Sequence, residues 1–170
     1  MIKTFRFRVL IDHPDDIFRD IDISNNLTFK DLHCTILDAF EFDKNELASF
    51  YLSNEKWDKG EEIPLMNMDG SITSMVDTRI SAKVNAVGDK LLYVYDFLYM
   101  WCFFIDLVGI FDHKKGKKLP CIVRKFGKSP DQMSKQIDID NDFSMSIPEI
   151  PANEAGLSLD DILEESEDTD

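Results

Sequence analysis

The chain has 170 residues, a formal net charge of −14, 44% hydrophobic residues and 31% charged residues. A chain of this length fits one domain with a tail, and a globular part of this size buries roughly two thirds of the surface that its unfolded form exposes. The composition excludes a strongly basic nucleic-acid-binding protein, a collagen-like chain and a wholly disordered chain.

The negative charge is concentrated at the C-terminal end. Residues 141–170 contain ten acidic residues and no basic one, and residues 131–140 contain three acidic residues and one lysine. Residues 1–130 therefore carry 18 basic and 20 acidic groups and are nearly neutral. We predict a folded body over residues 1–130 and a disordered acidic tail over residues 131–170, because the tail has too little apolar surface to offset its chain entropy.

Cysteine usage and apolar patterning indicate a cytoplasmic protein. The three cysteines are too few and too scattered for a disulfide framework: Cys34, Cys102 and Cys121. The first twelve residues alternate charged and apolar side chains, unlike a signal peptide. The longest apolar stretch, residues 91–111, contains Asp96 and Asp106, and each carboxylate would cost roughly 3 kcal/mol near a bilayer centre. Its period-two alternation favours two strands over a membrane helix.

The N-terminal part of the chain predicts a β-hairpin followed by a helix. Alternating apolar residues indicate strands over residues 5–11 and 17–23, although Arg19 interrupts the apolar face of the second. Thr28 and Asp31 then have the spacing of a capping box, with aspartate in place of the usual glutamate. Apolar residues recur at helical spacing after this cap, which predicts a helix of about 13 residues laid across the sheet.

The strongest strand signal lies in a second hairpin. Strands are predicted over residues 90–97 and 101–111, joined by a turn at residues 98–100. Eight of the 19 aromatic residues lie between Tyr93 and Phe111, so we expect this hairpin at the centre of the core.

The remaining body segments give weaker signals. Short strands are predicted at residues 48–52 and 121–125. Residues 53–78 are rich in polar residues and glycine, and predict a long connection with little regular structure. Residues 80–87 are ambiguous and slightly favour a short helix.

Few side chains stand out as candidates for chemistry. His33, on the apolar face of the predicted helix, could be a metal ligand or general base, but its isolation favours a histidine at the helix–sheet boundary that bonds a carbonyl or carboxylate. Asp96 and Asp106 could form a buried acid pair, but we expect each to reach the outer face or to bond a turn amide. The lysine loop at residues 114–118 could contact phosphates, but it has no arginine or aromatic residue among its lysines, which favours a solvated turn.

The acidic tail contains one spacing typical of calcium loops. Asp138, Asp140 and Asp142 are followed by Glu149 at the twelfth position. The sixth position, which needs glycine, is Phe143, and a proline precedes the glutamate. We therefore predict no metal site and no cofactor.

Three stretches resemble the plasmid pRiA4b ORF-3-like family: LTFKDLHCTILDAFEFD, then ASFYL, then VGDKLLYVYDF followed by a tryptophan. The resemblance extends over residues 3–125, with the GDKxLYxYDF string as its most specific part. It implies an α+β fold with a mainly antiparallel sheet on the capped helix. It implies association with plasmids and mobile elements, and no particular activity.

The chain departs from the family pattern at polar positions. Many members continue YDF with Gly-Asp-Asp-Trp and a histidine two residues on, whereas this chain has Phe103 at the histidine position. A paired-histidine segment after the helix is replaced by Glu46-Leu47-Ala48. Of that polar constellation, three candidate binding residues remain: His33, Asp96 and Trp101.

These observations favour a non-enzymatic, cytoplasmic interaction or adaptor module. It would bind an unknown protein partner through its sheet edge or acidic tail. We expect no strong nucleic-acid binding and no association with a membrane. The alternative is a mobile-element-associated enzyme or nucleic-acid-processing accessory protein with a degenerate polar site. A concave pocket in which His33 and Asp96 converge would favour this alternative, and separate, packed side chains would favour the module.

Overall fold

The structure is a computed structural model that describes residues 1–135. Within this range one α-helix, α1, spans Phe29–Ala39. Seven strands occur in the same range: β1 (Lys3–Ile11), β2 (Phe18–Ser24), β3 (Ala48–Ser53), β4 (Glu62–Pro64), β5 (Lys90–Tyr95), β6 (Trp101–Asp112) and β7 (Cys121–Phe126). They form one sheet in the order β4-β3-β5-β6-β1-β2-β7, antiparallel at every junction.

The predicted fold class is confirmed, since an antiparallel sheet packs on one principal helix. The predicted acidic tail and its calcium-like spacing lie outside the described residues, except for residues 131–135. Among the described residues, none of the helices has the length and apolarity needed to cross a membrane.

Helix α1 begins at the predicted capping box. The Thr28 hydroxyl accepts a hydrogen bond from the Asp31 amide at 3.3 Å, and the Asp31 carboxylate accepts one from the Thr28 amide at 2.9 Å. The helix has 11 residues rather than about 13, because the chain leaves the helical conformation near Glu41, whose φ is +60°. Its apolar side packs on the inner face of the sheet, where Phe29 lies edge-on to Phe50 with ring centroids 5.2 Å apart.

Arg19 interrupts the apolar face of β2 because it joins three elements at the edge of the core. Its guanidinium donates to the Ala39 carbonyl at the end of α1, at 3.1 Å, and to the carbonyls of Phe18 and Phe126 at 2.8 and 2.9 Å. Carbonyls at a helix C-terminus carry partial negative charge, which a cation complements. Burial lowers the pKa of Arg19, and these carbonyls replace the water that it loses.

The predicted central hairpin is confirmed. Strands β5 and β6 are third and fourth in the sheet order, and Leu91, Tyr93 and Tyr95 are buried on the inner face. The Tyr93 ring lies 4.6 Å from the Phe50 ring and 5.4 Å from the Phe103 ring. The concentration of aromatic residues therefore marks the core, as expected.

Residues 53–78 contain more regular structure than predicted. They include β4, which pairs with β3, and a 3₁₀ turn at Met75–Asp77. Strand β4 has three residues and a single buried side chain, Ile63, so it is too short to show a period. The helix predicted at residues 80–87 is only a 3₁₀ turn, Ile80–Ala82, because the amides of Asn85 and Ala86 bond the Asp89 carboxylate instead of carbonyls of the preceding turn.

Candidate binding groove on the outer face of the sheet

The two faces of the sheet differ in what covers them. The inner face packs against α1, whereas no described helix lies on the outer face. The outward side chains of β1, β2 and β6 alternate with the core residues and include both charged and aromatic groups. Ion pairs neutralise much of this charge: Arg6–Asp22, Lys117–Asp22, Arg8–Asp20, Lys90–Asp106 and Lys3–Asp112.

Asp22 pairs with two cations on the outer face. Its carboxylate is fully buried and accepts hydrogen bonds from Arg6 at 2.7 and 3.0 Å and from Lys117 at 2.6 Å. Burial alone would raise its pKa, but these two cations hold the pKa of Asp22 below its ordinary value. This end of the face is therefore a closed ion-pair network.

A groove of about 580 Å³ crosses the outer face. It is lined by residues from four strands, from the turn after β1 and from the loop after β3: Arg8, Leu10, Asp16, Phe18, Trp57, Phe104, Asp106 and Phe126. We call it the aromatic groove. Its volume lies within the range of roughly 300–1,000 Å³ that is typical of ligand sites in proteins.

One wall of the aromatic groove is a stacked pair of rings. Phe18 on β2 and Phe126 on β7 are direct cross-strand partners, and their rings are 5.3 Å apart and nearly parallel at 11°. The guanidinium of Arg8 lies 4.6 Å from the Phe18 ring centre, and that of Arg124 lies 5.4 Å from it. These cation–π contacts hold the ring in place.

Asp20 fixes the cation that faces this wall. Two hydrogen bonds, of 2.9 and 3.0 Å, join the Arg8 guanidinium to the Asp20 carboxylate and raise the pKa of Arg8. The arginine therefore stays charged and oriented, and its planar surface is turned to an aromatic neighbour.

The other wall comes from β6 and the loop after β3. The Trp57 and Phe104 rings meet edge to face, 5.1 Å apart, and the Lys90 ammonium lies 5.1 Å from the Trp57 ring centre. Lys90 also pairs with Asp106 on the neighbouring strand, which raises the pKa of the lysine. The lysine thus links the loop tryptophan to the sheet.

A tight loop presents Trp57 to the groove. Trp57 has a left-handed backbone conformation, with φ of 60°. The Asn54 side-chain oxygen accepts hydrogen bonds from the amides of Lys56 and Asp58 at 2.9 and 3.2 Å, and Ser53 donates to the Asp58 carbonyl at 2.8 Å. These local bonds offset the strain of a left-handed non-glycine residue.

The arrangement is suited to binding apolar groups. Because Arg8 and Lys90 are held in ion pairs, the surface left facing the groove is mainly aromatic and aliphatic, with Leu10 on β1 between the two walls. Rings on both walls can contact a flat or branched apolar group, and the charges at the rim can orient it.

His33 lies on the inner face, outside the groove. It is 1% exposed, and its Nδ1 is 2.5 Å from the Tyr93 hydroxyl. Burial, with smaller effects from Lys30 and Lys44, lowers the pKa of His33 to about 4, so the ring is neutral at physiological pH. The predicted boundary position is correct, but the partner is a phenol rather than a carbonyl or carboxylate.

Asp96 closes the β5–β6 turn. Its carboxylate accepts hydrogen bonds from the amides of Leu98 and Tyr99 at 3.0 and 3.3 Å, as expected of a residue that bonds turn amides. Its φ is +64°, a conformation that aspartate tolerates better than most residues. Asp106 reaches the outer face, which was the other expectation for these two carboxylates.

Trp101 is a core residue at the start of β6. It is 2% exposed, packs edge-on against Phe42 with centroids 5.1 Å apart, and donates from Nε1 to the Gln132 carbonyl at 3.1 Å. The three candidate binding residues therefore have different surroundings, and none of them lines the aromatic groove. Within residues 1–135, no cluster of three or more His, Cys, Asp or Glu side chains could hold a metal ion.

Sequence reasoning missed the aromatic groove. A usable signal was present, because Phe18 shares its strand phase with Asp20 and Asp22, and Phe104 shares its phase with Asp106. An aromatic residue in the polar phase of an amphipathic strand lies on the outer face. Phe126 and Trp57 gave no comparable signal, since their positions depend on strand pairing and loop geometry.

Comparisons with known proteins extend these observations. A solved crystal structure of a protein of unknown function from Methanosarcina mazei Go1 has a similar fold, with a TM-score of 0.69 and 21% sequence identity over 100% of this chain and 93% of the other. No curated protein matches the chain. The family model described as plasmid pRiA4b ORF-3-like protein matches residues 3–167. The chain therefore belongs to the plasmid pRiA4b ORF-3-like protein family.

Proposed function

We propose that this protein is a non-enzymatic interaction module that binds a protein partner through the aromatic groove. The observation that carries the proposal is a groove of about 580 Å³ with two aromatic walls, on an outer face where ion pairs neutralise much of the charge. Apolar surface gathered in one concavity is typical of interaction sites, and buried aromatic anchors supply much of the binding energy in such sites.

The proposal places the module in the cytoplasm. Cys34, Cys102 and Cys121 are free thiols, which supports a reducing compartment. We further propose the organisation expected from the sequence, with a body over residues 1–130 and an acidic tail over residues 131–170. The family's association with mobile elements is proposed for this chain on the resemblance alone.

The enzyme alternative has less support. A degenerate site would need His33, Asp96 and Trp101 around one cavity. His33 instead bonds Tyr93, Asp96 bonds turn amides, and Trp101 packs on Phe42. Each side chain has a structural partner, so their separate environments support the module.

A matched pair of substitutions tests the proposal. Leu10 and Val108 are both outward residues on neighbouring strands, 37% and 39% exposed, and only Leu10 lines the aromatic groove. We would use the full chain, Leu10→Asp and Val108→Asp as baits, identify retained proteins by mass spectrometry, and measure the affinity of each purified candidate by calorimetry.

The proposal requires a partner that binds the parent and Val108→Asp alike and binds Leu10→Asp at least about tenfold more weakly, because a carboxylate on the groove floor would be desolvated by an apolar ligand. If Leu10→Asp binds the partner as tightly as the parent does, the groove does not take part in the interaction. If an activity screen finds a turnover that Asp96→Asn abolishes, the interaction module is refuted and the enzyme alternative is supported.

A further inference from the structure

Among the elements of residues 1–135, strand β7 leaves one edge of the sheet open. It has six residues, lies last in the strand order and pairs only with β2 among the described strands. Such an edge presents unpaired amides and carbonyls and is a template for another strand. The opposite edge, β4, has three residues and ends in Pro64, so it offers a much shorter template.

The sequence around β7 is strongly basic. Residues 113–130 contain seven lysines and arginines and no acidic residue: Lys114, Lys115, Lys117, Lys118, Arg124, Lys125 and Lys128. All except Lys117 are exposed, and Lys117 pairs with Asp22. In a chain with a net charge of −14, this edge is a local exception. Lysines along an edge hinder pairing with a neutral or basic strand but complement an acidic one.

The open edge is continuous with the aromatic groove. Phe126 belongs to β7, lines the groove and is 48% exposed, and Val123 on the same strand is 40% exposed. Directly paired residues on neighbouring antiparallel strands have Cβ atoms roughly 5 Å apart. An apolar side chain on a strand added beside β7 would therefore pack against the exposed side of Phe126.

We infer that β7 captures an extended acidic segment of the partner protein as an eighth strand, with its carboxylates facing the lysines and one apolar residue against Phe126. The inference rests on the proposed interaction module and names the chemistry of its partner. Main-chain hydrogen bonds supply affinity in this mode of recognition, and side chains supply specificity. A single-stranded nucleic acid would satisfy the charge but not the edge amides.

The test uses the full chain and a fluorescein-labelled peptide of roughly ten residues that alternates glutamate with valine and has one central phenylalanine. Fluorescence anisotropy at about 0.15 M salt measures binding. A second peptide carries N-methyl groups on alternate residues, which removes backbone donors without changing its charge. Lys125→Glu changes the charge on β7, and Lys59→Glu makes the same charge change at an exposed loop beside β3, which is separated from β7 by four strands in the sheet order.

We expect saturable binding of the first peptide by the parent and Lys59→Glu, and at least about tenfold weaker binding by Lys125→Glu or with the N-methylated peptide. Equal binding of both peptides would show that the peptide is held by unspecific charge attraction, and would refute the inference that it adds as a strand. Tighter binding of a single-stranded oligonucleotide of equal charge would assign the edge to nucleic acid, and the absence of saturable binding would also refute the inference. If only this assay fails while a partner still depends on Leu10, the interaction module stands.

Discussion

The two tryptophans of the chain test whether the aromatic groove lies outside the hydrophobic core. Trp101 is fully enclosed at the start of β6, whereas Trp57 is half-buried on a loop over the outer face. Replacing each with alanine removes the same indole from a core and from a groove wall. The two variants should therefore differ greatly in stability.

The structure gives the magnitudes. Trp101→Ala leaves a cavity beside Phe42 and removes the hydrogen bond to Gln132, and buried tryptophan truncations cost about 3–5 kcal/mol. Trp57→Ala removes one edge-to-face ring contact, worth about 0.5–1.5 kcal/mol, and one cation–π contact, worth about 0.5–1 kcal/mol, so we expect a loss of about 1–2.5 kcal/mol. For a chain of this length, each kcal/mol lowers Tm by about 2–4 °C.

Urea unfolding followed by far-UV circular dichroism measures both free energies of unfolding, and thermal melts check their order. We expect Trp101→Ala to lose at least about twice as much stability as Trp57→Ala, with unchanged m values. If Trp101→Ala has the same Tm as the parent, Trp101 is not part of the core and our placement of the core is wrong. A loss from Trp57→Ala as large as that from Trp101→Ala would show that the outer-face loop is part of the core rather than a groove wall.

Three further outcomes follow from named groups. The folded-state pKa of His33 is about 4 and its ordinary value is 6.5, so protonation favours the unfolded chain as pH falls between these values. The free energy of unfolding, measured in urea at pH 7 and pH 4, should therefore fall less for His33→Phe than for the parent, by up to about 3 kcal/mol. Asparagine at position 96 keeps the shape and the oxygen that accept hydrogen bonds from the Leu98 and Tyr99 amides, so thermal melts of Asp96→Asn should show a change in stability within about 1 kcal/mol. A larger loss would show that the negative charge itself stabilises the turn. Deleting residues 141–170 should leave the free energy of unfolding within about 0.5 kcal/mol, and a Tm lowered by many degrees would show that this segment contributes to the folded body.

Much of the fold could be predicted because its signals are local. The period-two pattern of residues 5–11 and 17–23 identifies β1 and β2, and the Thr28–Asp31 capping box fixes where α1 begins. The aromatic hairpin β5–β6 is predicted at the centre of the core and is found there. Each of these features depends on residues a few positions apart, whose backbone preferences and side-chain spacing can be inferred without knowing the rest of the chain.

The candidate site could not be inferred in this way. The family pattern directs attention to His33, Asp96 and Trp101. The turn amides that Asp96 bonds were expected, but no spacing predicts that His33 bonds a tyrosine on β5 or that Trp101 bonds the Gln132 carbonyl. Arg19 is similar, since the reason for a buried cation appears only where α1 and β7 end beside it. Side chains acquire such roles from neighbours that are distant in sequence.

The chain's sequence by itself determined the types of the main elements, the position of the core hairpin, the basic character of residues 113–130 and the acidic character of residues 141–170. Only the tertiary structure decided the order of the strands, and with it the aromatic groove. Phe18 and Phe126 form one wall because β7 returns to pair with β2, and Trp57 faces Phe104 because a tight loop folds over the outer face. Strand pairing joins distant segments through backbone hydrogen bonds that any sequence can make, so register and order are set by the packing of the whole core rather than by local pattern.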